Sequence, residues 1–196
     1  MLFRSADEMR AWLGAGHYDA CLLDNFSGDA ELDPVALLNG GSAGVYVVDG
    51  LTGRTRMVHR VGHAQWLLPC RVRDDLDGRQ VLCGTRWGNY GILTLLSGRG
   101  ERLWSMQPEY VLQGTAPVQW HADGPELIWL NRTRSAFGLY DGHGRQVSRL
   151  LPMREHFHGH TKVPCCVVRP TPGSLDHLCI QPAADGPMHV FRSTAD

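Results

Sequence analysis

Apolar runs of about four residues recur along the chain every ~47 residues, divided by glycine-rich and acidic turns. The second run of each unit is the plainest: Val35-Ala36-Leu37-Leu38, Gln80-Val81-Leu82-Cys83, Leu127-Ile128-Trp129-Leu130 and His177-Leu178-Cys179-Ile180. Runs this short, bounded by turn residues, fit strands buried on both faces. Third runs, Gly44–Val48, Gly91–Leu95 and Phe137–Tyr140, end in Asp49-Gly50-Leu51-Thr52-Gly53, Ser97-Gly98-Arg99-Gly100 and Asp141-Gly142-His143-Gly144. The last glycines of these turns stand 47 and 44 residues apart, where a hairpin needs positive φ. Fourth strands are predicted at Arg56–Val58, Arg102–Trp104 and Gln146–Ser148, and the last unit closes on Met188–Phe191. Ala20–Leu23 reads as the first strand of the first unit. In the other units Pro69, Pro117 and Pro164, spaced by 48 and 47 residues, read as the residues that open it.

Four short antiparallel strands per unit, repeated with the same turn chemistry, predict an all-β fold: a β-propeller of about four four-stranded blades. A sandwich gives no reason for turns to recur at a fixed period; a solenoid is the structural rival. The blades fall at 17–62, 63–110, 111–158 and 159–196. Residues 1–16 fit no blade and read as an N-terminal remnant, in which Ser5-Ala6-Asp7-Glu8 resembles a helix N-cap with an acidic first turn, predicting a short helix. Four blades could close as a ring, yet the first strand begins with no partner blade to lock against. The expectation is a partial, truncated propeller whose exposed blade faces are open to self-association.

Composition narrows the function classes. Nineteen basic and 20 acidic residues give a net charge of -1, which gives no support to nucleic-acid or membrane-surface binding. The sequence shows no signal peptide and no apolar stretch of the ~20 residues that span a bilayer, so the chain as given reads as cytoplasmic. Six cysteines form no CxxC pair, and Cys21, Cys70 and Cys165 read as equivalent first-strand positions, which points to packing.

In a propeller the connection from strand two to strand three shares an end with the crossing to the next blade. Sorted this way, one end receives Thr85-Arg86-Trp87-Gly88-Asn89-Tyr90, Asn131-Arg132-Thr133-Arg134, the crossing loop His63-Ala64-Gln65-Trp66, and the crossing loop from Arg154 to Lys162. Arg, His, Trp, Tyr and Asn therefore gather on one side, as ligand groups do on loops held by a rigid scaffold. Arg86, Trp87, Asn89 and Tyr90 combine a cation, stacking surfaces and hydrogen-bonding groups, as a sugar or uronate site would; Trp87 and Tyr90 read equally as wedges between blades. Asn131, Arg132 and Arg134 suit bidentate pairing with a carboxylate, or form a solvated loop. His156, His158 and His160 alternate, so an extended segment would aim all three imidazoles one way as zinc ligands; an exposed loop is the plain alternative. The turn Asp74-Asp75-Leu76-Asp77-Gly78 resembles a calcium loop but is followed by Arg79 and Gln80. Calcium and zinc are the cofactors the sequence admits, and it demands neither.

The stretch from Pro117-Val118-Gln119-Trp120 through Asp123–Asn131, Gly138–Val147 and Cys165-Cys166-Val167, together with Gly84–Gly91, resembles the closing blades of rhamnogalacturonan-lyase-like, FG-GAP-type propellers. The resemblance covers roughly Leu22 to Phe191 and rests on structural motifs; the last blade departs from it at Arg169–Ser174. It implies β-elimination at a uronic acid of a polysaccharide or oligosaccharide. Such a reaction needs a cation on the carboxylate, a base for the C5 proton and a donor for the leaving oxygen. Arg86, Arg132 and Arg134 are then the carboxylate partners, Tyr90, His63 and His158 the base or acid. Trp66 and Trp87 would stack on sugar rings, with Asn89, Asn131 and Lys162 in substrate binding. The alternative is a non-catalytic propeller that binds carbohydrate or protein through the same loops.

Overall fold

The computed structural model describes residues 18–40, 44–85, 91–107, 115–130, 138–148, 165–181 and 187–194. The helix predicted within 1–16 lies outside them. Among the described residues the chain is all-β, with no helix and 52% of residues in strands, arranged as four antiparallel sheets, none closed. The first sheet runs β1 (Tyr18–Asp24), β2 (Val35–Gly40), β3 (Gly44–Asp49), β4 (Thr55–His59); the second β5 (Ala64–Cys70), β6 (Gln80–Thr85), β7 (Leu93–Leu96), β8 (Arg102–Met106). The third runs β9 (Ala116–Val118), β10 (Leu127–Leu130), β11 (Gly138–Tyr140), β12 (Gln146–Ser148). The fourth has three strands, β13 (Cys165–Val168), β14 (His177–Ile180) and β15 (His189–Phe191). The chain divides into two compact units, Met1–Cys70 with Asp75–Gln107, and Arg71–Asp74 with Pro108–Asp196.

The repeat read from the sequence reappears in the register. Strands three and four carry a β-bulge at the same place in three sheets, at Val47/Val48, Leu95/Leu96 and Leu139/Tyr140. Each bulge leads into a turn closed by a positive-φ glycine: Gly53 (+72°), Gly100 (+86°) and Gly144 (+78°). The turns are capped alike. Asp49 Oδ1 accepts from the N–H groups of Leu51 and Thr52, Ser97 Oγ from Glu101, and Asp141 Oδ1 from His143 and Arg145.

The first strands differ from expectation. β5 begins at Ala64, so Ala64-Gln65-Trp66 is strand, bulged at Gln65, and the crossing loop is shorter than predicted. Pro69 stands late in β5 and Pro117 in the middle of β9, at equivalent register positions opposite Val81 and Ile128, while Pro164 lies outside the described residues. Pro69 and Pro117 are tolerated there because β5 and β9 are edge strands, where one side of the backbone needs no partner. Cys21 and Cys165 are equivalent, facing Leu38 and Ile180, but Cys70 lies three positions later, opposite Gln80.

Alternation along each strand gives every sheet two apolar faces. The face of the first sheet with Val35, Leu37, Val45 and Val47 packs on the face of the second with Leu67, Val81, Cys83 and Leu96. In the second unit the same choice is made. Trp129 and Leu139, which correspond in register to Leu37 and Val47, pack on Leu178 and Ile180, which correspond to Val81 and Cys83. In both units, then, a forward face meets the rear face of the following sheet.

A backbone clasp recurs within the units. The residue just before strand two donates its N–H to a carbonyl earlier in its own unit: Arg79 to Phe26 (2.8 Å), Glu126 to Arg71 (2.8 Å) and Asp176 to Gln119 (3.1 Å). Glu126 and Asp176 return the contact through their carboxylates, which accept from the N–H groups of Arg71 and Gln119. Arg79 instead pairs with Asp24 and lies over the Phe26 ring.

Candidate functional site

Within the first unit the start of β1 lies beside the start of β5, and the end of β1 beside the start of β6. The two sheets therefore present corresponding ends to the same side. At the strand-start end, Asp19 Oδ2 lies 3.2 Å from His63 Nε2, with side chains 18% and 16% exposed. Asp19 reaches this position because β1 is bulged between Tyr18 and Ala20, which takes it out of the alternation. Sequence reading singled out His63 and missed Asp19. The available signal was faint: Asp19 and Gln65 occupy corresponding bulges of the repeat.

The loop that would carry Arg86, Trp87, Asn89 and Tyr90 is rooted at this same end. Thr85 donates to the Ile92 carbonyl (3.0 Å) and accepts from Ile92 N–H through Oγ1 (2.9 Å), while Ala64 stands opposite Thr85. The loop residues themselves lie outside the described residues, as do Asn131, Arg132, Arg134, His156, His158, His160 and Lys162. Trp66 is half-buried in β5 opposite Gly84. A Cβ at residue 84 would come within 2.0 Å of the indole, so the ring rests directly on that glycine. Much of its area is spent on the sheet.

Asn39 is fully buried on the forward face near this end. Its Oδ1 lies 4.0 Å from Cys83 Sγ, and its Nδ2 has no hydrogen-bond partner among the described residues. Such a group costs about 1–3 kcal/mol when left unsatisfied. Among the described residues no group of three His, Cys, Asp or Glu is placed to hold a metal ion. Asp74, Asp75 and Asp77 are exposed. A half-open cleft of ≈ 280 Å³, lined by Leu76, Asp77, Arg99, Glu101 and Leu103 among others, lies at the opposite end and contains none of the predicted site residues.

No family model, curated protein or solved structure matches the chain. The described residues thus define a class, an all-β protein of repeated antiparallel sheets, and the Asp19–His63 pair is the titratable couple at the end where sequence reading gathered its candidates.

Proposed function

We propose that the four sheets are blades of a β-propeller and that the strand-start end of the first unit binds a uronic-acid-containing polysaccharide and cleaves it by β-elimination. The forward-on-rear packing found in both units, the recurring clasp and the shared turn chemistry support the propeller reading, because blades around an axis must each meet the next in the same way. One observation carries the reaction: the Asp19–His63 contact. A neutral imidazole that donates Nε2–H to Asp19 holds its acceptor lone pair on Nδ1, and Nδ1 would take the C5 proton. Asp19 then orients the ring and stabilises the imidazolium that forms. Arg86 would neutralise the substrate carboxylate and Tyr90 would protonate the leaving oxygen, with Trp87 and Asn89 holding the sugar.

The test is incubation of the full chain with rhamnogalacturonan and other uronate polysaccharides, following the ultraviolet absorbance of the unsaturated product. Product formed by the native chain and lost in His63→Ala supports the proposal. Polysaccharide binding without product would leave a carbohydrate-binding propeller and remove the lyase assignment. Product formation unchanged in His63→Ala would remove His63 as the base.

A further inference from the structure

On the forward face of the fourth sheet, β13 and β14 place Cys166 directly opposite Cys179. Opposed residues of an antiparallel pair have Cα atoms about 4.5–5.5 Å apart, within the roughly 4.4–6.8 Å that a disulfide spans. Cys166 is among the groups that raise the Cys179 thiol, as expected of neighbours across the strand pair. Cys166 is exposed and Cys179 half-buried. The face around them is open as well: Val168 and Val190 are exposed on it. At the position of Val190 the other three sheets carry Val47, Leu95 and Leu139, which are at most 1% exposed.

We propose that Cys166 and Cys179 form a thiol–disulfide exchange site that takes a small-molecule disulfide as its oxidant and closes into a cross-strand disulfide. The Cys166 thiolate attacks one sulfur of the disulfide RSSR, forming a mixed disulfide and releasing RS⁻. The Cys179 thiol, after losing its proton to solvent, attacks the Cys166 sulfur, forming the Cys166–Cys179 bond and expelling the second RS⁻. Two electrons pass from the protein dithiol to RSSR, and two RSH molecules result once the leaving thiolates are protonated. The order follows from exposure: the incoming disulfide reaches Cys166, and Cys179 resolves it from beside it. Burial, and after it the neighbouring Cys166, raise the Cys179 thiol, which makes it the poorer first attacker and leaves that step to the exposed Cys166; Cys179 resolves because the mixed disulfide forms directly opposite it on the paired strand. Cys83 is the contrast. Fully buried, its thiol is pushed up to about 12, which keeps it protonated and out of exchange.

Oxidised glutathione added to the fully reduced chain under native conditions is the probe, read by intact mass and disulfide peptide mapping. The expected product has lost the mass of two hydrogen atoms, carries the bond between Cys166 and Cys179, and retains two fewer free thiols than the six of the reduced chain. Cys179→Ser should stop at the first step, with one glutathione held on Cys166; Cys165→Ser should still close the bond. A native chain that accumulates stable glutathione on Cys166 without closing, or that closes through Cys165 instead, would overturn the proposal. So would a native chain whose Cys166 and Cys179 remain free thiols after equilibration in an oxidising glutathione buffer.

Discussion

Gln119 and Asp176 hold each other by two hydrogen bonds: the Asp176 N–H donates to the Gln119 carbonyl at 3.1 Å, and the Gln119 N–H donates to Asp176 Oδ2 at 2.8 Å. The carboxylate is buried, and the Arg169 guanidinium meets both of its oxygens, at 2.9 and 3.1 Å. Asp176→Ala should cost about 2–3 kcal/mol, since it strands the Gln119 N–H and removes charge-assisted bonds, whereas Arg169→Ala should cost less because its side chain is half exposed and Asp176 keeps the Gln119 N–H. Urea unfolding of both variants checks the ranking.

Gly98 and Gly142 mark the same contact from the turn side. A Cβ on either would come 2.0 Å from a carbonyl oxygen, that of Phe26 or of Val72. Gly98→Ala is expected to destabilise by about 2–3 kcal/mol through overpacking. Gly124→Ala, where nothing lies within 4 Å, should cost only the backbone strain of its φ of +104°, about 1–2 kcal/mol. Equal costs in thermal unfolding would argue against the close approach.

Leu139 and Val190 occupy corresponding positions in the third and fourth sheets, yet one is 1% exposed and the other 58%. Leu139→Ala should therefore cost about 2–5 kcal/mol, and Val190→Ala less than about 0.5. Denaturant midpoints decide it.

The Arg56 guanidinium 2.7 Å from Asp49, joined by the Thr52 N–H, holds the Asp49 carboxyl well below the usual carboxylate range. A lowered folded-state value stabilises the fold at pH above the unfolded carboxylate's value of about 3.9, and that contribution fades as the pH falls below it toward the folded value. Asp49→Asn should lower stability at neutral pH by about 1 kcal/mol and make the loss of stability below pH ~4 shallower. Melting temperatures measured across the acid range test both parts.

If His63 is the base, Asp19→Asn weakens catalysis without removing it. His63→Ala is expected to lower turnover by about 10²–10⁴-fold and Asp19→Asn by less, with substrate binding little changed in either. A change confined to KM would point to binding alone.

Second and third strands were legible because Leu37, Leu82, Trp129 and their neighbours are buried on both sides of a sheet, which writes itself as a continuous apolar run. The turns were legible because Gly53, Gly100 and Gly144 need a backbone that other residues rarely adopt. First strands were harder. β5 opens with Ala64-Gln65-Trp66, which carries neither a run nor an alternation because the bulge at Gln65 shifts the phase, and Pro69 looked like an opening when it sits near the end of an edge strand. Asp19 escaped notice for the same reason: a bulge re-aims one side chain without leaving a mark in composition. The contact between Cys166 and Cys179 depends on register across a turn, which no local pattern encodes.

The most direct test of the account is hydrogen exchange at three backbone amides, those of Arg79, Glu126 and Asp176. Each precedes a strand and donates to the carbonyl of Phe26, Arg71 or Gln119 in a recurring clasp. All three should exchange as slowly as the amides of the central strands they precede, opening only with global unfolding. Exchange at the rate of an open loop at these three positions, with the central strands still protected, would contradict it.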